Sequence, residues 1–214
     1  MLVGRRMTPD PITVAPDLPI ADALELMRQK KVRRFPVIDK KGKLIGIVTQ
    51  NDLLYAAPSS VTSLNVWEVN YLLSKVTVKE VMTKDVITIC HDCTIEEAAA
   101  KMREHKIGGL PVLDDGKLVG IITESDLFRV FLELFEAGEK GWRLTVLAPY
   151  FKGSLAQIST AITQAGGLIL ALNTFKGEDT SNWGCTLKVT DIGKDDLLKV
   201  VEPLVVQIVD VREA

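Results

Sequence analysis

The stretch GIVTQNDLL (residues 46–54) returns 74 positions later as GIITESDL (residues 120–127). Both run a short apolar strand into Thr-x-x-Asp-Leu. One copy alone specifies little. A Thr hydroxyl that accepts from a free backbone N–H, with an Asp in the first turn, is the ordinary start of a helix. Two copies point to a repeated structural unit, and a repeat changes the reading of the whole chain.

The repeat extends well beyond the two quoted stretches. Residues 7–39 align without a gap to 82–114 with 14 identities in 33 positions, and 42–53 align to 116–127 with 8 in 12. The single-residue gap lies where Asp39-Lys40-Lys41-Gly42 meets Asp114-Asp115-Gly116. Asp-Gly between apolar runs marks a short hairpin, and a surface turn tolerates an extra residue. Each unit therefore predicts β-α-β-β-α. A strand (12–14; 87–89) leads to a helix with Ile20, Ala23, Leu24 and Met27 at helical spacing. A hairpin (35–38 with 44–48; 110–113 with 118–122) follows, and a closing helix starts at Thr-x-x-Asp. In the second copy Thr94-Ile95-Glu96-Glu97 predicts a capping box. There Phe128, Phe131, Leu132 and Phe135 predict an apolar stripe turned into the core.

Between the copies Leu64, Trp67, Tyr71 and Leu72 recur at helical spacing and predict a packed helix. After the Gly- and charge-rich EAGEKG (136–141), the pattern becomes β-α-β-β-α-β, the ferredoxin-like order. The expected boundaries are 1–57 for the first unit, 58–75 for a helical insert and 76–136 for the second unit. A linker at 137–141 then precedes a separate domain at 142–214.

A net charge of −2 removes any general electrostatic attraction to nucleic acid or to an anionic membrane. No apolar run approaches the ~18 residues of a membrane span, and the opening MLVGRRMTPDP lacks a secretory core. A cytoplasmic protein with its three cysteines reduced is the expectation. Two histidines, no G-x-x-x-x-G-K-[ST] and no G-x-S-x-G leave no nucleophile–base pair to defend, so no catalytic residue is assigned. No metal site is assigned either. Cys90-His91-Asp92-Cys93 is a lone C-x-x-C opposite Ala15 and Leu18 of the first copy, which predicts buried thiols.

Thr49-x-x-Asp52 and Thr123-x-x-Asp126 admit two readings. One is a helix cap. The other is an anion site at the helix start, where a carboxylate accepts from adjacent ribose hydroxyls. Arg33 and Arg34 precede a strand of the first copy, and Gly108-Gly109 stand there in the second. Guanidinium forks suit phosphate oxygens, so the two sites are not equivalent. A solvated basic face is the plain alternative.

The repeated MT-x-x-x-IT, PV-x-D and GKL-h-G-h-h-T-x-x-D-L resemble a tandem pair of CBS domains, a Bateman module. The resemblance spans about 125 residues and implies two units packed about a pseudo-two-fold axis. It also implies adenosine-containing ligands (AMP, ADP, ATP or S-adenosylmethionine) in the clefts between them. Asp52 and Asp126 would then hold ribose with Thr49 and Thr123 beside them, and Thr13 and Thr88 would lie near the adenine or sugar. The C-terminal domain resembles an ACT domain through its element order, Gly153 and the SLAQI that follows. ACT domains often bind amino acids at dimer interfaces, which makes Tyr150, Lys152 and Gly153 the candidate effector loop. Tyr150 and Lys152 stand where the family commonly has Asp and Pro, so dimerisation is the safer implication. The whole arrangement is similar to bacterial acetoin-utilisation (AcuB-type) proteins.

The combined expectation is a non-catalytic, homodimeric regulator that senses adenine nucleotides and acts on an unidentified partner enzyme. It needs no catalytic cofactor. The alternative is a ligand-free scaffold that recruits such an enzyme.

Overall fold

A computed structural model describes residues 1–56 and 75–214. The helix expected from Leu64, Trp67, Tyr71 and Leu72 lies outside the described residues. The chain divides into two compact units, Met1–Leu127 and Phe128–Ala214.

The first unit holds both repeats. Copy one comprises a 3-10 turn (Val3–Arg5), β1 (Thr8–Pro9), α1 (Ile20–Lys30), β2 (Arg34–Ile38), β3 (Leu44–Thr49) and α2 (Gln50–Ala56). Copy two comprises α3 (Val78–Val81), β4 (Ile89–Cys90), α4 (Ile95–His105), β5 (Gly109–Asp114), β6 (Lys117–Thr123) and α5 (Glu124–Leu134), the last running past Leu127. Corresponding residues do corresponding work. Ile20, Ala23 and Met27 are buried from α1, and Ile95, Ala98 and Met102 from α4. The hairpins β2–β3 and β5–β6 carry a register shift at the same place, between Val37 and Ile38 and between Val112 and Leu113. Asp39 Oδ1 accepts from the N–H groups of Lys41 and Lys43 at 2.8 and 2.9 Å, so the longer turn is closed by its own side chain. The strand expected at 12–14 contributes a single parallel bridge from Val14 to Val37, whereas β4 pairs with β5 over two residues.

The copies exchange their opening segments. Residues 1–9 are built onto copy two: Val3 N–H donates to Cys93 O and Gly4 N–H to His91 O, and β1 pairs antiparallel with β6. Reciprocally, residues 76–83 are built onto copy one. Val78 N–H donates to Leu18 O, Lys79 N–H to Pro16 O, and Thr83 exchanges two backbone bonds with Ile47. Val3 and its repeat counterpart Val78 are both fully buried, and Val78 lies in the core with Phe35, Val37, Val48 and Leu53. This exchange explains the glycine in the repeated motif. A β-carbon on Gly46 would collide with the Met82 sulfur, and one on Gly120 with the Met7 sulfur. Each glycine keeps a strand bare where the other copy's methionine crosses it.

The second unit runs β7 (Trp142–Pro149), α6 (Ser154–Gln164), β8 (Leu168–Lys176), β9 (Asn182–Thr190), α7 (Lys194–Val201) and β10 (Gln207–Glu213). Its antiparallel sheet has the order β10-β7-β9-β8. Ile158 and Ile162 of α6 and Leu197 and Val201 of α7 pack on Leu144, Val146, Cys185, Leu187 and Val189 of the sheet.

Two expectations fail. Cys90 and Cys93 are joined in a disulfide, and of the three cysteines only Cys185 is a buried free thiol. The counterpart Ala15 is itself exposed, so an apolar residue at that repeat position did not imply burial. The Phe128, Phe131, Leu132 stripe is not core either. Those side chains are 67%, 54% and 54% exposed, while Val130 on the same helix is buried. Helical spacing defines an apolar face but not what covers it.

Candidate functional site

Among the cavities of the first unit are two clefts, of about 570 and 510 Å³, lined by residues of both copies. Cleft A is lined by Ile47, Thr49, Gln50, Asn51 and Asp52 of copy one, and by Thr83, Asp85, Ile87, Lys106 and Ile107 of copy two. Cleft B is lined by Ile121, Thr123, Glu124 and Ser125 of copy two, and by Thr8, Asp10, Ile12, Lys31 and Val32 of copy one. The positions correspond under the repeat alignment, except that Asp52 of cleft A has no counterpart in the lining of cleft B. Each cleft joins the end of a hairpin in one copy to the opening segment of the other, so the segment exchange creates both.

The Thr-x-x-Asp motif caps its helix in both copies. Asp52 Oδ2 accepts from the Thr49 N–H at 2.8 Å and the Thr49 hydroxyl at 2.7 Å, while the Asp52 N–H donates to Thr49 Oγ1 at 3.3 Å. Thr123 N–H and Oγ1 donate to Asp126 Oδ2 at 2.8 and 2.7 Å. The first helical N–H groups are used as well, Gln50 donating to Arg33 O and Glu124 to Gly108 O. What distinguishes the copies is access. Asp52 is half-buried and lines cleft A, with Oδ1 taking none of the bonds from Thr49. Asp126 is 7% exposed and is not part of the lining of cleft B.

Arg33 and Arg34 line both clefts, as do Gly108 and Glu124. The Arg34 guanidinium crosses to copy two and rests over Gly108-Gly109. A β-carbon on Gly109 would collide with Nη1, and one on Gly108 would stand 3.0 Å from Nη2 and 2.8 Å from Glu124 Oε2. Burial holds the Arg34 pKa below the usual guanidinium value; Glu124 opposes that shift and Arg33 adds to it. The glycine pair is therefore the seat of an arginine from the other copy.

Of the other expected residues, Thr13 lines a separate recess with Pro16, Asp17 and Asp39, outside both clefts. Thr88 lines neither cleft, and its carbonyl accepts from Lys101 Nζ at 3.0 Å. The positions that line the clefts instead are Thr8, Asp10 and Ile12, with Thr83, Asp85 and Ile87. Their identity in both copies was the available signal. Lys31 and Lys106 were also missed. Each ends its helix in the left-handed conformation, at φ 55° and 54°, and lines the cleft built on the other copy's hairpin.

In the second unit Tyr150, Lys152 and Gly153 lie exposed in the loop between β7 and α6. Gly153, at φ 98°, starts α6, and the Tyr150 N–H donates to Ser181 O. An apolar recess of about 350 Å³ lies elsewhere, between Phe131 and Phe135 and the sheet residues Ala171, Thr186 and Lys188. Among the described residues no cluster of His, Cys, Asp and Glu is arranged to hold a metal ion, and no helix is long and apolar enough to cross a membrane.

Comparison with known proteins agrees with the duplicated fold. The chain is 36% identical to Arabidopsis thaliana CBSX2 over 152 residues, covering 62% of this chain and 64% of that protein. It is 34% identical to a CBS domain-containing protein of Dictyostelium discoideum, covering 64% of this chain and 94% of that one. Inosine-5'-monophosphate dehydrogenase of Nitrosopumilus maritimus is 30% identical over 81% of this chain, which spans only 34% of that enzyme's length. Among solved structures, an acetoin utilization protein (AcuB) of Vibrio cholerae superposes with a TM-score of 0.53 at 36% identity, over 64% of this chain and 95% of that one. CBSX2 in complex with AMP gives a TM-score of 0.50 at 37% identity, over 61% and 96%. The CBS domain pair of protein MJ0100, in complex with 5'-methylthioadenosine and S-adenosyl-L-methionine, gives 0.51 at 32%, over 61% and 95%. Residues 3–59 and 78–133 each match the CBS domain, and the chain belongs to the CBS-domain family.

Proposed function

We propose that the chain is a non-catalytic sensor of adenine nucleotides, and that cleft A is its principal site. One observation carries the reading. Thr49 and Asp52 stand in the wall of a cleft large enough for a nucleoside, with Arg33, Arg34 and Lys106 at the same cleft. A carboxylate beside a helix start suits the two ribose hydroxyls, and guanidinium groups suit phosphate oxygens. AMP and adenosyl ligands in related CBS pairs support the same class. In cleft B, Thr123 takes the corresponding role while Asp126 acts as a cap. Ligand binding regulates by favouring one packing of the two copies over another.

The second unit serves in this reading as an ACT-like domain (142–214) within a cytoplasmic homodimer. The exposed Phe128, Phe131 and Leu132 supply an apolar surface that such an assembly would cover. That same surface favours the second reading, a scaffold that recruits a partner enzyme.

Calorimetric titration with AMP, ADP, ATP and S-adenosylmethionine tests the sensor. Binding that Asp52→Ala weakens is expected. An absence of binding by the unaltered protein, together with a stable complex in pull-down, would favour the scaffold.

A further inference from the structure

The difference between the copies at 33–34 and 108–109 does not give one cleft the arginines and deprive the other. Arg33 and Arg34 line both. Their side chains stand where the clefts approach each other, with Arg34 over the bare backbone of Gly108-Gly109. Without the two guanidinium groups, cleft A retains Lys106 against Asp52, Asp85 and Glu124, and cleft B retains Lys31 against Asp10 and Glu124. A phosphate dianion entering either cleft would then meet net negative charge. The guanidinium groups are the favourable partners for a phosphate in either cleft, and there is one pair of them for two clefts.

From this we infer that the clefts compete for Arg33 and Arg34. A phosphorylated nucleoside in one cleft draws the guanidinium groups toward itself and weakens the other cleft for a second phosphorylated ligand. A phosphate-free adenosyl ligand does not need them and is not excluded. The pair thus reads the phosphate tail once per chain, and its two sites respond differently to charged and uncharged ligands. Glu124, facing both clefts, is the carboxylate whose charge favours that of Arg34 and opposes an entering phosphate. The inference rests on the nucleoside reading above.

The test is native mass spectrometry and calorimetry on the full chain with AMP and with 5'-methylthioadenosine, which lacks phosphate. The step from first to second AMP should exceed the step from first to second 5'-methylthioadenosine by at least about tenfold, a coupling of ordinary size between sites. Protein saturated with AMP should still bind 5'-methylthioadenosine, within about twofold of the affinity that a second 5'-methylthioadenosine shows for protein already holding one. In Arg33→Gln, at an exposed position, and in Arg34→Gln, the first AMP should weaken and the gap to the second should shrink to the gap seen with 5'-methylthioadenosine. An AMP step no larger than the 5'-methylthioadenosine step would overturn the inference and leave the sensor intact. Exclusion of 5'-methylthioadenosine by AMP would overturn it also, since cleft B would then be closed for another reason. An excess of the AMP gap over the 5'-methylthioadenosine gap that persists in Arg33→Gln, should Arg34→Gln fail to fold, does the same. Binding of neither ligand would remove the sensor reading and this inference with it.

Discussion

Cleft A and cleft B occupy equivalent places in two copies of one fold and use the same backbone features. In both, a threonine and an aspartate start a helix, an opening strand crosses from the other copy, and a left-handed lysine closes the rim. They part at the side chains: Asp52 faces cleft A while Asp126 is sealed, and Gln50 is matched by Glu124. The arginine pair has only glycines opposite it. Duplication preserved the architecture, so identities between the copies report mainly on folding. Differences at cleft positions, such as Asp52 against the sealed Asp126, are what make the two clefts inequivalent.

The largest effect should come from exchanging the two aspartates in turn. Asp52→Ala is expected to weaken AMP by about 10- to 100-fold, the scale of losing a hydrogen bond to a charged group. Asp126→Ala should leave that affinity within about twofold and cost about 1 kcal/mol of stability, as losing a cap does. Equal losses of affinity from both would erase the distinction between the clefts. Gly46→Val and Gly120→Val should each cost roughly 1–3 kcal/mol by forcing Met82 or Met7 off its strand. Urea midpoints would show this, and similar losses in the two variants would support a symmetric exchange.

Thiol chemistry offers a smaller contrast, because the disulfide exists in copy two alone. Burial pushes the Cys185 thiol up to about 11. At pH 8 an aromatic disulfide reagent should find no thiol in the folded protein and one after unfolding, with Cys90 and Cys93 appearing only after reduction. The smallest effect concerns the helix starts. Thr94 and Glu97 form a capping box, whereas α1 begins at Pro19 with no side-chain cap. The Thr94 N–H, followed by its hydroxyl, holds Glu97 below its ordinary value of 4.5. A depressed carboxyl stabilises the fold above the unfolded-state pKa and loses that contribution as pH falls through the folded value. Glu97→Gln should therefore narrow the gap in stability between pH 7 and pH 3 slightly, measured by thermal melts.

The duplicated fold was legible because 22 identities in 45 aligned positions kept strands, hairpin and caps in register. The capping box at Thr94 and the glycine-closed hairpins were local chemistry and needed no tertiary knowledge. Thr13 and Thr88, expected near the adenine or sugar, line neither cleft for the opposite reason. Each copy was read as self-contained, and the exchange of opening segments puts Thr8 and Thr83 at the clefts instead. Nothing local in MTPD or MTKD announces a partner strand 113 residues later in one case and 36 residues earlier in the other. The exposed phenylalanines show the same limit, since periodicity defines an apolar face without saying whether anything covers it.

The exchanged segments also bear on how the protein is made. Copy one cannot complete its core until residue 78 has left the ribosome, because Val78 fills it. Copy two receives its missing piece, Val3, from the start of the chain. A cut between the repeats should accordingly yield two fragments that fold poorly apart and assemble when mixed, each carrying the other's first strand.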